Sequence, residues 1–137
     1  SHDFFETMKT TVLTQRSLNR DQESFTPLRA LEMATRDGAK ALRLFDQIGS
    51  LEVNKRADLL VIDGNSPEMQ PPAGLISQVV MAAKAKCVKH VAMDGKWHLF
   101  DYKHQSMNPV EVFASAREVQ KRLLESAGIY YGVRGAR

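Results

Sequence analysis

The dipeptide Asp94-Gly95 lies between two runs, VKHVAM (88–93) and KWHLF (96–100), and this pattern constrains the fold more than any other. Asp-Gly accepts the left-handed backbone of a two-residue hairpin turn, whose twist matches that of the flanking strands. Such a turn also sets a register. It places Met93 opposite Lys96, Ala92 opposite Trp97, Val91 opposite His98 and His90 opposite Leu99. One face of the predicted hairpin then carries Val88, Ala92, Trp97 and Leu99, and the other carries Val91, Met93 and Phe100. Neither face is polar, so a sheet built on this hairpin needs cover on both sides.

The rest of the chain supplies little of that cover. Leu59 to Ile62 reads as a buried strand, bracketed by Asp58 and Asp63, which brings the total to about three strands. Residues 3–18 place Phe4, Phe5, Met8, Val12 and Leu13 at helical spacing, with Asp3 and Glu6 suited to the N-terminal end. Thr26-Pro27 is an N-cap followed by a first-turn proline, and 26–45 reads as a bent helical pair interrupted at Asp37-Gly38. Gly64 to Gly74 is loop, with Pro67, Pro71 and Pro72 in it, and Leu75 to Ala85 fits a helix or a strand. Asn108-Pro109 opens a helix to about Ala127, lined by Val112, Ala116, Val119 and Leu123 and stopped by Gly128. Two arrangements satisfy this pattern. Either the helices cover the sheet in a small α+β domain, or polypeptide from a larger protein completes both cores.

Composition narrows the class. The 137 residues are 43% hydrophobic, too apolar for a disordered chain. No run approaches the ~20 apolar residues of a membrane span, and no signal-peptide pattern is seen, so no membrane partner is expected. The single cysteine, Cys87, fits a reducing, cytoplasmic setting. The net charge of +3 comes from residues of both signs spread along the chain, which argues against a nucleic-acid partner. An independent basic binding module is the rival reading of a different class, and it requires salt-sensitive affinity for polyanions.

No catalytic constellation is visible. His2, His90, His98 and His104 show neither a His-x-His strand pair nor an i, i+4 helical pair, and the expected register puts His90 and His98 on opposite faces. Cys87 has no histidine fixed beside it, and Lys84, Lys86 and Lys89 form a short basic cluster without interleaved aromatic residues. Asp58 and Asp63 are placed to accept turn N–H groups at the strand ends. The expected catalytic, cofactor-binding and metal-ligating residues of this chain are therefore none.

A more specific pattern runs from 34 to 59. Ala34-Thr35, Gly38-Ala39 and Ala41-Leu42 are followed by Ile48-Gly49-Ser50-Leu51-Glu52-Val53, Lys55 and Ala57-Asp58-Leu59. This resembles the C-terminal signature of the metal-dependent amidohydrolase superfamily, nearest its cytosine-deaminase-like and chlorohydrolase-like aminohydrolases. Asp3 to Met8, the hairpin ending Met93-Asp94-Gly95-Lys96, and the 109–126 helix are similar to the family's flanking elements. Asn54 and Arg43 stand where the family commonly has glycine.

The resemblance implies an α/β architecture of which this chain is a C-terminal fragment. Residues 1–47 would be the last helices of a (β/α)8 barrel, 48–104 the returning strands of a composite β-sandwich, and 105–137 a C-terminal helix and tail. The missing N-terminal portion of the same protein would be the principal partner, with homo-oligomers formed through exposed sheet edges. In the intact enzyme a divalent metal, zinc or iron, would activate water to attack a small-molecule substrate, deaminating a nitrogen heterocycle. The metal ligands would precede Ser1, so this chain would hold no metal, and His2 is not expected to replace one. A hydantoinase-, dihydroorotase- or imidazolonepropionase-type hydrolase of cyclic amides is the alternative within the superfamily.

Overall fold

A computed structural model describes residues 3–72 and 74–129. The chain divides into two compact units, the first ending at Lys103 and the second beginning at His104. In the first unit, helix α1 (Phe4–Asn19) is capped by Asp3, whose carboxylate accepts the Phe5 N–H. Helix α2 (Pro27–Glu32) is capped by Thr26, with Pro27 in the first turn as its missing N–H allows. Asp37-Gly38 does not stop this helix. The chain continues through a π-helical segment, Met33–Asp37, into α3 (Gly38–Ala41), and Gly38 keeps an ordinary helical φ of −57°.

The helix ends at Leu42, followed by Arg43 in a left-handed conformation (φ 58°). Arg43 N–H bonds to Lys40 O at 2.9 Å and Leu44 N–H to Ala39 O at 2.8 Å, the paired bonds of a Schellman cap. Glycine takes up this conformation most freely, and here Arg43 holds it. Leu75 to Met81 resolves as a helix, α4.

The helices make their own core. Phe5, Met8 and Val12 of α1 meet Ala30 of α2 and Val80 of α4, together with Met69 and Ala83. Phe4 and Leu13, expected on the same stripe, are exposed on either side of it. The core also reaches the sheet, because Ile62 and Val88 pack against it.

The sheet runs β1 (Leu59–Ile62), β2 (Val88–Met93), β3 (Lys96–Phe100) and β4 (Lys103–His104), in that spatial order. The hairpin turn is as expected, with Asp94 at φ 50° and Gly95 at φ 74°. Register holds for Met93 against Lys96 and Ala92 against Trp97, then slips. Val91 pairs with Leu99, leaving His98 as the extra residue of a bulge. The expected Val91–His98 and His90–Leu99 pairs are therefore replaced, and Leu99 joins the face of Val91. Phe100 returns to the side of His90 and Trp97, with ring centroids 4.6 and 5.6 Å away. A second irregularity at Lys89 pairs Ile62 with Val88, which turns Val88 toward the helical core. Nor is β1 the fully buried strand its apolar run predicts, since Leu60 and Val61 are exposed.

Asn54 adopts φ 72°, the left-handed turn that its position requires. Asn54→Gly is expected to leave stability nearly unchanged, whereas Asn54→Val costs about 1–2 kcal/mol. Urea midpoints of the two variants measure the difference.

In the second unit, α5 (Pro109–Ser126) is capped by Asn108 and ends at Gly128 (φ 66°), as the sequence predicts. Its apolar residues Val112, Val119 and Leu123 are exposed. No helix among the described residues is long and apolar enough to cross a membrane.

Candidate functional site

The 34–59 pattern folds into one junction. After the Arg43 cap the backbone turns back, and Gly49 (φ 92°) crosses directly over the π-helical segment. A Cβ at Gly49 would stand 2.6 Å from the Ala39 Cβ and 3.1 Å from the Thr35 carbonyl oxygen. The Gly49–Ala39 pair is thus a point of backbone contact. Beyond it, Lys55 folds under the loop with its side chain only 8% exposed. Its Nζ lies 3.9 Å from the centre of the Phe45 ring and donates to Ser50 Oγ at 2.7 Å. Ser50 in turn donates to Glu52, and this bond, with Lys55 next in effect, holds the Glu52 carboxyl below its usual range. The apolar tips Leu51 and Val53 point outward, 74% and 91% exposed.

The junction then reaches the hairpin. Asp58 Oδ1 accepts the Asp94 N–H at 2.6 Å, and Ala57 O accepts the Gly95 N–H at 3.2 Å. Asp58 therefore holds the Asp94-Gly95 turn from across the sheet, as a turn-accepting carboxylate does. Asp63 accepts the Asn65 N–H through one oxygen and the Tyr102 hydroxyl, at 2.6 Å, through the other.

Long-range ties supplement this arrangement. Asp3 caps α1 with one oxygen while the other accepts the Ala85 N–H at 2.9 Å. That Ala85 bond is the largest influence holding the Asp3 carboxyl below its ordinary range. The cap is legible as an Asp before a helix, but its distant partner leaves no sequence signal. The same is true of Tyr102–Asp63, Lys55–Phe45 and the bond from the Asp101 N–H to His90 Nδ1.

These residues build structure and do not converge on a reacting atom. His98 is the bulged residue, His90 sits in the aromatic cluster, His104 is exposed, and His2 falls outside the described residues. Cys87 is buried, its Sγ 3.7 Å from Glu68, whose carboxylate pairs with Lys86. Lys89 pairs with Asp101 at 3.7 Å, and Lys84 is exposed. Among the described residues, no three His, Cys, Asp or Glu side chains are placed to hold a metal, so this donor set does not fit one.

The Tyr102–Asp63 bond makes a prediction about pH. Donation to Asp63 pushes the Tyr102 hydroxyl up to about 12, and the same bond, first among its causes, lowers the Asp63 carboxyl. A raised tyrosine stabilises the fold below its unfolded value, and that contribution is lost as pH rises through about 10 to 12. A lowered aspartate stabilises the fold above its unfolded value of about 4, and that contribution is lost as pH falls below it. The wild type should therefore exceed Tyr102→Phe on a plateau between these limits and converge with it at both ends. Urea midpoints across the pH range test this.

Residues 1–98 match the family model described as the amidohydrolase family. The chain belongs to the amidohydrolase family. It is 34% identical over 121 residues to a 5-methylthioadenosine/S-adenosylhomocysteine deaminase of Shouchella clausii, covering 88% of this chain and 28% of the relative. It is 39% identical over 88 residues to an S-triazine hydrolase of Gordonia rubripertincta, covering 64% of this chain and 18% of the relative. Among solved structures, an adenosine deaminase from Xanthomonas campestris with bound zinc superposes with a TM-score of 0.84 at 32% identity, over 86% of this chain and 27% of that one. The chain thus spans about 28% of the length of the first of these curated relatives. Within this amidohydrolase chain, the Gly49–Asp58 segment lies wholly inside the matched region.

Proposed function

We propose that this amidohydrolase chain is the C-terminal scaffold of a metal-dependent deaminase acting on a nitrogen heterocycle, with adenosine-type nucleosides as the favoured class. The observation that carries this reading is the 34% identity, across 88% of the chain, to a relative named as a deaminase of adenosine derivatives. The adenosine deaminase with bound zinc, alike in fold and 32% identical, supports it. In this reading α1 to α3 brace the end of a (β/α)8 barrel, and the sheet joins strands from the preceding part of the same protein in a composite sandwich. The exposed Leu60, Val61, Trp97 and Phe100 support that reading, since apolar sheet faces call for cover. Zinc is the favoured metal, held by residues outside those described, and the setting is cytoplasmic. Self-association through exposed sheet edges is the expected behaviour of the chain alone.

The test compares this chain with the same chain extended by its upstream coding sequence. Ammonia release is followed from adenosine, 5′-deoxyadenosine, an aminotriazine and a cyclic amide. The extended protein should deaminate the nucleosides, lose activity to a chelator and regain it with zinc, while the chain alone does nothing. Activity confined to the cyclic amide would transfer the protein to the alternative branch of the family. Activity in the unextended chain would overturn the scaffold reading.

A further inference from the structure

The turn that leaves β3 is unusual in its backbone. Asp101 (φ 47°) and Tyr102 (φ 63°) are consecutive residues in the left-handed region, and neither is glycine. The left-handed region is disfavoured for a tyrosine above all, so the turn depends on its fastenings. Three are present. Tyr102 N–H donates to Lys89 O at 3.0 Å, the Tyr102 hydroxyl donates to Asp63, and Asp101 N–H donates to His90 Nδ1 at 3.1 Å. The last differs in kind. An imidazole nitrogen accepts only while it carries no proton, so the bond requires a neutral His90 with its hydrogen on Nε2.

The surroundings offer the ring a second arrangement. Phe100 and Trp97 pack against it at 4.6 and 5.6 Å, and its partner on β1 is Val61, so those contacts carry no charge. The charged groups nearby are Lys89, next to it on β2, and Asp101 in the turn itself, which pair at 3.7 Å. Asp63 is engaged with Tyr102. On β3 the titratable residues are Lys96 and the bulged His98, and β4 contributes Lys103 and His104. A protonated His90 cannot receive the Asp101 N–H, and its new N–H is a donor suited to the Asp101 carboxylate.

We propose that His90 is a proton-operated latch on the Asp101–Tyr102 turn. The neutral ring holds the turn in its left-handed conformation. The protonated ring drops the backbone bond, exchanges it for the Asp101 side chain and frees the turn. The device belongs to the sheet itself and does not depend on the catalytic assignment.

The test uses the full chain, labelled with 15N, between about pH 8 and pH 5, where imidazoles change charge. Protection of the Asp101 amide from hydrogen exchange, corrected for the intrinsic rate at each pH, should fall roughly five- to tenfold as the His90 ring signals report protonation. In His90→Asn the side-chain Oδ1 occupies the position of Nδ1 and cannot be protonated in this range, so protection should be retained throughout. His90→Phe keeps the ring packing without an acceptor and should show the low-protection state at every pH. The wild type and His90→Asn suffice if His90→Phe does not fold. Identical pH courses for those two proteins, or ring 15N shifts placing the neutral proton on Nδ1, would overturn the proposal.

Discussion

Gly49→Ala is expected to destabilise the protein by about 3 kcal/mol or more. Two costs combine. At φ 92° a residue with a Cβ adopts a backbone that only glycine takes up freely, a penalty of roughly 1–2 kcal/mol. The new methyl would also sit 2.6 Å from the Ala39 Cβ and 3.1 Å from Thr35 O. Neither neighbour can rotate away, because one is a Cβ fixed to a helix and the other is backbone, and such overpacking adds about 1–3 kcal/mol. Gly64→Ala is the control, since a Cβ there meets nothing within 4 Å. Chemical denaturation of the three proteins separates the outcomes. A Gly49→Ala midpoint equal to that of the control would show that the loop does not cross the helix so closely.

The second large effect lies in the helical core. Val12 is completely buried, among Phe5, Met8, Ala30 and Val80. Val12→Asp places a carboxylate there with no cation in that group to meet it, at an expected cost of about 4 kcal/mol or more. Thr10→Asp, two residues away on an exposed position of the same helix, should change stability by no more than about 0.5 kcal/mol. Circular dichroism and thermal melting of both variants distinguish a core position from a merely helical one. Loss of cooperative melting only in Val12→Asp is the expected result, and equal melting of the two would disprove the packing.

Much of this was legible in the amino-acid order. Thr26-Pro27 and Asn108-Pro109 start helices because their capping chemistry is local, and Asp94-Gly95 turns because its backbone needs are local too. The junction signature could be recognised, and the φ of Asn54 follows from a residue type that tolerates it. What escaped was non-local. The bulge at His98 changes which side chains share a face, yet nothing in KWHLF marks one residue as extra. The Asp37-Gly38 pair reads as a turn or cap from sequence alone, whereas the helix continues through it by way of a π-helical segment. Burial of Lys55 needs Phe45 and Ser50 brought together, which a lysine in a polar loop does not announce.

The π-helical stretch at Met33–Asp37 has a consequence for how such chains can vary in length. A π turn accommodates one residue more than an α turn, so the helix beyond it is rotated by about 100° from the course an unbroken α-helix would take. Deleting a single residue there would restore uninterrupted i to i+4 bonding and improve the helix considered by itself. It would also swing Ala39 round the axis, away from the glycine that rests on it. A one-residue gap at this point would thus tidy the local geometry while dismantling the joint, and chains that keep the joint must keep the surplus residue.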